Sequence, residues 1–153
     1  MYPLKTKGFI TYEPTRNMQG KSEWWLTIEL PYFSDTAKMY RWFIGREWYL
    51  ADQCHGKKRA YSKPPHHYHI SIIRGEKPRA NLDQWGKYKA NEKVNVEYSN
   101  EIRQTSIARD GKDHFWFVEA FYEYYVEMRK FYGLNYQRHG ADFKGHITVA
   151  RAF

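Results

Sequence analysis

Two histidines of this chain begin six-residue segments that match position by position. His69 begins the segment HISIIR, and His146 begins the segment HITVAR near the end of the chain. A hydroxyl residue follows each histidine at the second position, Ser71 in the first segment and Thr148 in the second. Histidine is the side chain whose ordinary pKa, about 6.5, lets it accept or donate a proton near neutral pH. The repeated segment is therefore the first candidate for chemistry in this sequence.

Both segments are rich in β-branched residues, which is typical of strands. Alternate side chains of a strand project to opposite faces, so His69 and Ser71 share one face, and His146 and Thr148 do the same. In-line cleavage of a phosphodiester needs a base at the attacking oxygen and an acid at the leaving oxygen. Two histidines in opposite protonation states supply both, and two hydroxyls donate hydrogen bonds to the non-bridging oxygens. This chemistry needs no metal.

Four further residues are candidates for binding a substrate. His67 shares a face with His69 by the same alternation, although a solvated histidine is the simpler reading of its place in a loop. Lys144, two residues before the second segment, could contact an anion. Tyr12, on the first predicted strand, could stack on a base, or it could equally be a core residue. Arg74 lies at an odd offset from His69, so a regular strand would turn it to the other face.

A metal site is the main alternative for these histidines. His67 and His69 could begin such a site with His139, Asp142 or His146, but a compact site would have a tighter set of ligands with carboxylates. The single cysteine, Cys54, can form neither an internal disulfide nor a zinc knuckle. We therefore predict no metal and no cofactor.

The overall composition favours an anionic ligand. The 153 residues carry a net charge of +8, and 19% of them are aromatic, more than a core of this size needs. Surplus rings can stack on bases, so charge and rings together favour a nucleotide, with a soluble basic surface as the alternative. No apolar stretch resembles a signal peptide or reaches bilayer-spanning length. We expect a cytoplasmic protein with no membrane contact and no obligate protein partner.

The elements that must position the histidines occur twice in the same order. The first half is predicted to contain strands over 7–14 and 22–30, a helix over 34–50 and a strand over 68–75. The second half is predicted to contain a strand over 94–99, a hairpin at Asp110–Gly111, a helix marked by aromatic residues from Phe117 to Tyr132 and ended by Gly133, and a last strand from His146.

This repetition of strand, strand, helix, strand is independent of the histidine motif and predicts an internal duplication. We predict an α+β fold of antiparallel strands with flanking helices, in a single domain over residues 1–153. Lobe one would cover approximately 1–80 and lobe two approximately 81–153, with strands free to exchange between them. A pseudo-twofold axis between the lobes would bring the two histidines together across a central cleft.

The segments HISI and HITV resemble the paired H-x-[ST]-x motifs of the 2H phosphoesterases, which include the LigT-like RNA enzymes. The resemblance covers essentially the whole chain. The size of the chain, its opening MYPLKTKGF and its lack of extra domains are similar to the phage members that degrade cyclic oligonucleotide signals of bacterial CBASS immunity. Ser71 stands where threonine is more usual in the first motif, a departure that keeps the hydroxyl.

The resemblance implies a bilobal 2H fold, with His69 and His146 as the acid–base pair and Ser71 and Thr148 as phosphate contacts. It also implies metal-independent hydrolysis of 3′–5′ bonds in cyclic di- and trinucleotides, in the cytoplasm of an infected bacterium. The 2′-hydroxyl of the substrate would attack, giving a 2′,3′-cyclic phosphate before the linear product. Two alternatives stay open: RNA processing at 2′,3′-cyclic ends or 2′–5′ junctions, and a non-catalytic nucleotide-binding sponge. The sequence does not assign which histidine is the base.

Overall fold

An antiparallel sheet of eight strands is the framework of the chain, and two helices complete an α+β fold. The structure, a computed structural model, describes residues 2–14, 23–31, 38, 40–46, 61–62, 68–104 and 114–152. The predicted α+β class and the predominance of antiparallel strands are confirmed.

The predicted elements that lie in the described residues occur in the predicted order, and three two-residue strands occur in segments that were predicted to be loops. The strands of the first half are β1 (Leu4–Tyr12), β2 (Leu26–Glu29), β3 (Tyr61–Ser62) and β4 (His69–Ile73). Helix α1, whose described residues are 40–46, lies between β2 and β3. After a 3₁₀ turn (Leu82–Gln84), the second half contains β5 (Lys93–Tyr98), β6 (Arg103–Gln104), β7 (His114–Phe121), α2 (Tyr125–Phe131), β8 (Gln137–Arg138), β9 (Ala141–Asp142) and β10 (Gly145–Ala152).

The order of strands in the sheet is symmetric about its centre. Along the sheet the order is β3-β10-β7-β5-β1-β2-β4, with β6 beside β7. Outward from the central β5–β1 pair, β2 on one side corresponds to β7 on the other, and β4 corresponds to β10. Strands β4 and β10 also approach each other, so the sheet nearly closes on itself. The two strands that carry the histidine motifs are therefore neighbours.

The apolar residues of alternate strand positions form the core. Ile10, Ile70 and Ile147 are fully buried at the centre of three strands, and Met128 of α2 and Tyr132, the residue directly after α2, add to them. Burying one such side chain stabilises the fold by about 1.5–3 kcal/mol. Because the core takes one face of the sheet, the histidine motifs present their alternate residues to the other face.

The second helix is shorter than predicted. Phe117 and Phe121 lie on β7, and the helix begins only at Tyr125. Strand β7 pairs with β10 along most of its length, and this pairing outweighs the helical spacing of the aromatic residues. Gly133 ends the helix as predicted, with φ at 68°. Its N–H donates to the carbonyl of Lys130, as expected of a left-handed residue after a helix.

The predicted loop before the last strand contains a hairpin instead. Strands β8 and β9 pair around His139 and Gly140, whose φ angles are 52° and 79°. Two consecutive positive φ angles are typical of the type I′ turn of two-residue hairpins, and Gly140 is the sequence signal for it. The other predicted hairpin turn, at Asp110–Gly111, lies outside the described residues, but β6 and β7 on either side of it pair antiparallel.

Strand β10 comes close to β4 at Gly145. A Cβ atom at this position would lie 2.9 Å from Cγ2 of Ile70 and 3.3 Å from the carbonyl oxygen of Ala120. We expect Gly145→Ala to lower the free energy of unfolding by about 1–3 kcal/mol, because the extra methyl group overpacks this junction. Urea denaturation measures the loss. Gly45→Ala is the matched control, since a Cβ atom added there would meet no described residue within 4 Å. Equal effects of the two changes would contradict the close approach.

Candidate functional site

The two motif histidines lie on one face of neighbouring strands. His69 is the first residue of β4, and His146 is the second residue of β10. On the core side, the adjacent residues Ile70 and Gly145 meet each other. Both histidines alternate with buried residues and therefore project to the opposite side, where His69 is half-buried and His146 is exposed. This placement permits the two imidazoles to act on one ligand.

The side chain of Trp25 contacts both His69 and Ser71, the hydroxyl residue of the first motif. The indole ring meets the imidazole edge-on, with centroids 5.3 Å apart, and its Nε1–H donates to Oγ of Ser71 at 2.9 Å. A serine hydroxyl has one proton and two lone pairs, so Ser71 can accept this bond and still donate its own proton. The hydroxyl is thereby oriented as a donor toward a ligand. The backbone carbonyl of Ser71 accepts a further bond from the Tyr125 hydroxyl at 3.2 Å.

His146 lies beside Phe117, with ring centroids 5.6 Å apart and the rings close to perpendicular. Thr148 pairs with Phe117 across the ladder, so the hydroxyl residue shares this face. The imidazole of His146 keeps an opening to solvent, but the protein that surrounds the rest of it removes much of its hydration. This desolvation lowers the pKa of His146 below its ordinary value of 6.5. The ring is therefore mainly neutral at pH 7 and able to accept a proton.

A β-bulge brings Arg74 to the histidine face. Thr27 of β2 pairs with Ser71, but the preceding residue, Leu26, pairs with Ile73, so β4 contains one extra residue at this point. A bulge of this kind reverses the alternation beyond it. The guanidinium of Arg74 consequently lies over the Trp25 ring, 4.6 Å from its centroid. The expectation from a regular strand, that Arg74 would be turned away, is wrong because the strand is not regular.

The same irregularity occurs in the second motif strand. The register of β10 shifts between Thr148, which pairs with Phe117, and Ala150, which pairs with Trp116. Val149 and Ala150 are both fully buried, as are Ile72 and Ile73 in the first strand. Two adjacent apolar residues after each hydroxyl position are the sequence signal for these bulges. The bulges give a structural reason why the two segments match over six positions.

The structure does not bring Tyr12 to the histidines. Tyr12 pairs with the buried Leu26 and thus lies on the core side of the sheet. Its hydroxyl donates to the carbonyl of Tyr88 at 2.6 Å and bonds with the Tyr132 hydroxyl at 2.7 Å, and burial raises its pKa far above the ordinary value. Tyr12 is therefore partly buried against the core, on the side of the sheet opposite the histidines. His67 lies outside the described residues.

Lys144 borders a cleft at the start of β10. The cleft has a volume of about 710 Å³ and is lined by residues that include Tyr2, Phe121, Tyr125, Lys130 and Lys144. The rings of Tyr2 and Phe121 are nearly parallel, with an interplanar angle of 8° and centroids 6.4 Å apart. This volume is within the usual range of small-molecule pockets. Lys144 is exposed and available to an anion at this cleft.

Metal ligands do not cluster in the described part of the chain. Among those residues, no three His, Cys, Asp or Glu side chains come together in a way that could hold a metal ion. The same residues contain no helix that is both long enough and apolar enough to cross a membrane.

Comparison of the chain with protein-family models, with curated proteins and with solved structures finds no match in any of the three.

Proposed function

We propose that this chain is a metal-independent phosphodiesterase of the 2H type, which hydrolyses 3′–5′ bonds of cyclic di- and trinucleotides. One observation carries the proposal: His69 and His146 share the outward face of adjoining strands, each followed at the second position by a hydroxyl residue. The symmetric strand order supports reading the chain as two related lobes of one bilobal domain with the histidines at their junction.

In the proposed reaction, the neutral histidine accepts the proton of the substrate's 2′-hydroxyl as that oxygen attacks phosphorus. The protonated histidine donates its proton to the 5′ oxygen as the P–O5′ bond breaks, which leaves a 2′,3′-cyclic phosphate. This step already opens the ring of the substrate. Water then attacks the 2′,3′-cyclic phosphate with the two roles exchanged: the histidine that is now neutral takes a proton from water, one P–O bond of the cyclic phosphate breaks, and the other histidine protonates the oxygen that leaves. Ser71 and Thr148 donate hydrogen bonds to the non-bridging oxygens, where negative charge increases.

The surroundings of the histidines suit a nucleotide. Arg74, held over Trp25, adds a positive charge on the same face as Ser71. The cleft beside β10 is lined by Lys144 and Gly145, the two residues directly before His146, so a nucleotide whose phosphate lies at His146 could extend into it. The rings of Tyr2 and Phe121 would contact the base there, with Lys144 near the phosphate. Together with the resemblance of the chain's size and opening residues to phage enzymes, this supports evasion of CBASS immunity in the bacterial cytoplasm.

Incubation of the chain with a nucleotide panel in EDTA tests this function. The panel contains cyclic di- and trinucleotides, RNA ending in 2′,3′-cyclic phosphate, and RNA with a 2′–5′ junction. We expect chromatography to show linear products from the cyclic nucleotides at undiminished rate, because no step uses a metal. Faster turnover of either RNA would assign the site to RNA processing instead. Recovery of tightly bound cyclic nucleotide in intact form would indicate a sponge and contradict the proposal.

A further inference from the structure

The indole ring of Trp25 is buried on the face of the sheet that carries the histidines. Trp25 directly precedes β2, and its side chain contacts His69 and Ser71, whereas the next residue, Leu26, belongs to the core. Trp25 is only 1% exposed. A ring enclosed to this extent is held in one orientation by the side chains packed around it.

Two hydrogen bonds fix the backbone of Trp25. Its N–H donates to Oε1 of Glu13 at 3.0 Å, and its carbonyl accepts a bond from the N–H of Glu13 at 2.7 Å. Glu13 directly follows β1, and the neighbouring residues Tyr12 and Leu26 pair in the ladder of β1 and β2. The two bonds therefore continue this register by one residue and anchor Trp25 to β1.

The indole N–H determines the direction of the Ser71 hydroxyl. Nε1 of Trp25 lies 2.9 Å from Oγ of Ser71. An indole nitrogen is a donor only, so the serine oxygen is the acceptor and its own proton points away from the ring. A hydroxyl without such a neighbour rotates to suit its surroundings. The bond thus selects, before a ligand arrives, the orientation in which Ser71 donates outward.

The same ring packs against two further groups of the first motif. The imidazole of His69 meets it at 81° with the ring centroids 5.3 Å apart, and the guanidinium of Arg74 lies 4.6 Å from its centroid. Imidazole, hydroxyl and positive charge therefore share one neighbour that is not part of the motif. The motif alone does not reveal this neighbour, because Trp25 is 46 residues from Ser71 in the sequence.

We propose that Trp25 is a positioning residue that orients the Ser71 hydroxyl to donate to a non-bridging oxygen of the phosphodiester. Negative charge increases on that oxygen in the transition state, and a donor that already points toward it stabilises this charge without reorganisation. Trp25 acts through Ser71 and does not itself touch the substrate. This role rests on the proposed function, which supplies the phosphodiester.

Initial rates with a cyclic dinucleotide measure this role. Ser71→Ala should lower kcat by about 10²- to 10³-fold, the usual effect of removing one such donor. Trp25→Phe keeps an aromatic ring but removes the N–H. It should lower kcat by about 10- to 100-fold with little change in KM, because the orientation of the donor matters most in the transition state. The double variant has no hydroxyl to orient, so it should be no slower than Ser71→Ala alone.

Trp85→Phe is the matched control for the change at Trp25. Trp85 packs against Tyr12 and Tyr132 on the core side of the sheet, so the same replacement there should leave kcat unchanged. An unchanged kcat in Trp25→Phe would overturn the proposal. So would a double variant that is slower than Ser71→Ala by the full effect of Trp25→Phe, because Trp25 would then act independently of the hydroxyl.

The indole N–H signal of Trp25 in NMR spectra tests the same role without turnover and without replacing Trp25. Consecutive hydrogen bonds polarise one another, so a phosphate oxygen that accepts from Ser71 strengthens the bond that Trp25 donates. Addition of a cyclic dinucleotide to the His146→Ala variant should therefore move this signal downfield. Adding Ser71→Ala should abolish the movement. A signal that does not move, or that moves equally without the hydroxyl, refutes the positioning role.

The two measurements separate this inference from the proposed function. A downfield shift that depends on Ser71, in a chain that cleaves no nucleotide, refutes the phosphodiesterase but supports the action of Trp25 on a bound phosphate through Ser71. Cleavage in which the effects of Trp25→Phe and Ser71→Ala simply multiply refutes only the positioning role.

Discussion

Replacement of either His69 or His146 by alanine is expected to slow cleavage of a cyclic dinucleotide by about 10²- to 10⁴-fold. In the proposed mechanism, each change removes one of the two proton transfers at the same phosphorus. Because the histidines act as a unit, the double variant should be little slower than the single ones. Initial rates in EDTA, followed by chromatography of the products, measure the effect.

The control for this experiment is another histidine of the chain. His139 lies exposed in the turn between β8 and β9 with a φ of 52°, a conformation that asparagine tolerates well. His139→Asn should therefore cleave at the rate of the unmodified chain. Undiminished cleavage by the His69→Ala, His146→Ala double variant would refute two-histidine catalysis.

Replacement of Arg129 by methionine is expected to lower the free energy of unfolding by about 2–4 kcal/mol, because it leaves one buried and two part-buried acceptors without their donor. Arg129 is only 4% exposed on α2. Its guanidinium donates to the carbonyls of Ile72 at 2.7 Å and Asn135 at 2.5 Å, and pairs with Glu76 at 2.9 Å. Methionine fills a similar volume but makes none of these bonds. Urea denaturation of the full chain measures the change.

Two variants separate this effect from loss of charge. Arg129→Lys keeps the charge but not the branched set of donors, so its loss should be intermediate. Arg103→Met removes an ion pair at a side chain that is 52% exposed, and should cost less than about 1 kcal/mol. If Arg129→Met costs no more than Arg103→Met, the buried contacts of Arg129 do not stabilise the fold as the structure indicates.

The motif strands could be predicted from sequence because their information is local. In β4 and β10, a histidine, a buried residue and a hydroxyl residue follow one another. Four consecutive residues of the sequence are enough to show this alternation. The start of α2 is harder to predict from the sequence, because the spacing of the aromatic residues around Phe117 and Phe121 fits a helix. The residues between them alternate as in a strand. Pairing with β10 decides between the two, and that contact is remote in sequence.

The remaining parts of the candidate site depend on register. Tyr12 lies on the core side because it pairs with Leu26, and Glu29 becomes the neighbour of His69 because β2 pairs with β4. Arg74 reaches the histidine face only through an extra residue in the strand. None of these relations can be predicted from the residues that flank Tyr12, Glu29 or Arg74 in the sequence. A single sequence therefore predicts the motif but not its surroundings.

The junction between β4 and β10 has a mechanical consequence. Among the described residues, no backbone ladder joins these strands. Ile70 of β4 packs close to Gly145 of β10, and Tyr125 and Arg129 of α2 donate hydrogen bonds to backbone carbonyls of β4. The distance between the two imidazoles is therefore fixed only as firmly as this packing holds the two strands. A ligand bound by both rings would hold β4 and β10 together, so binding of the substrate would also stiffen the sheet.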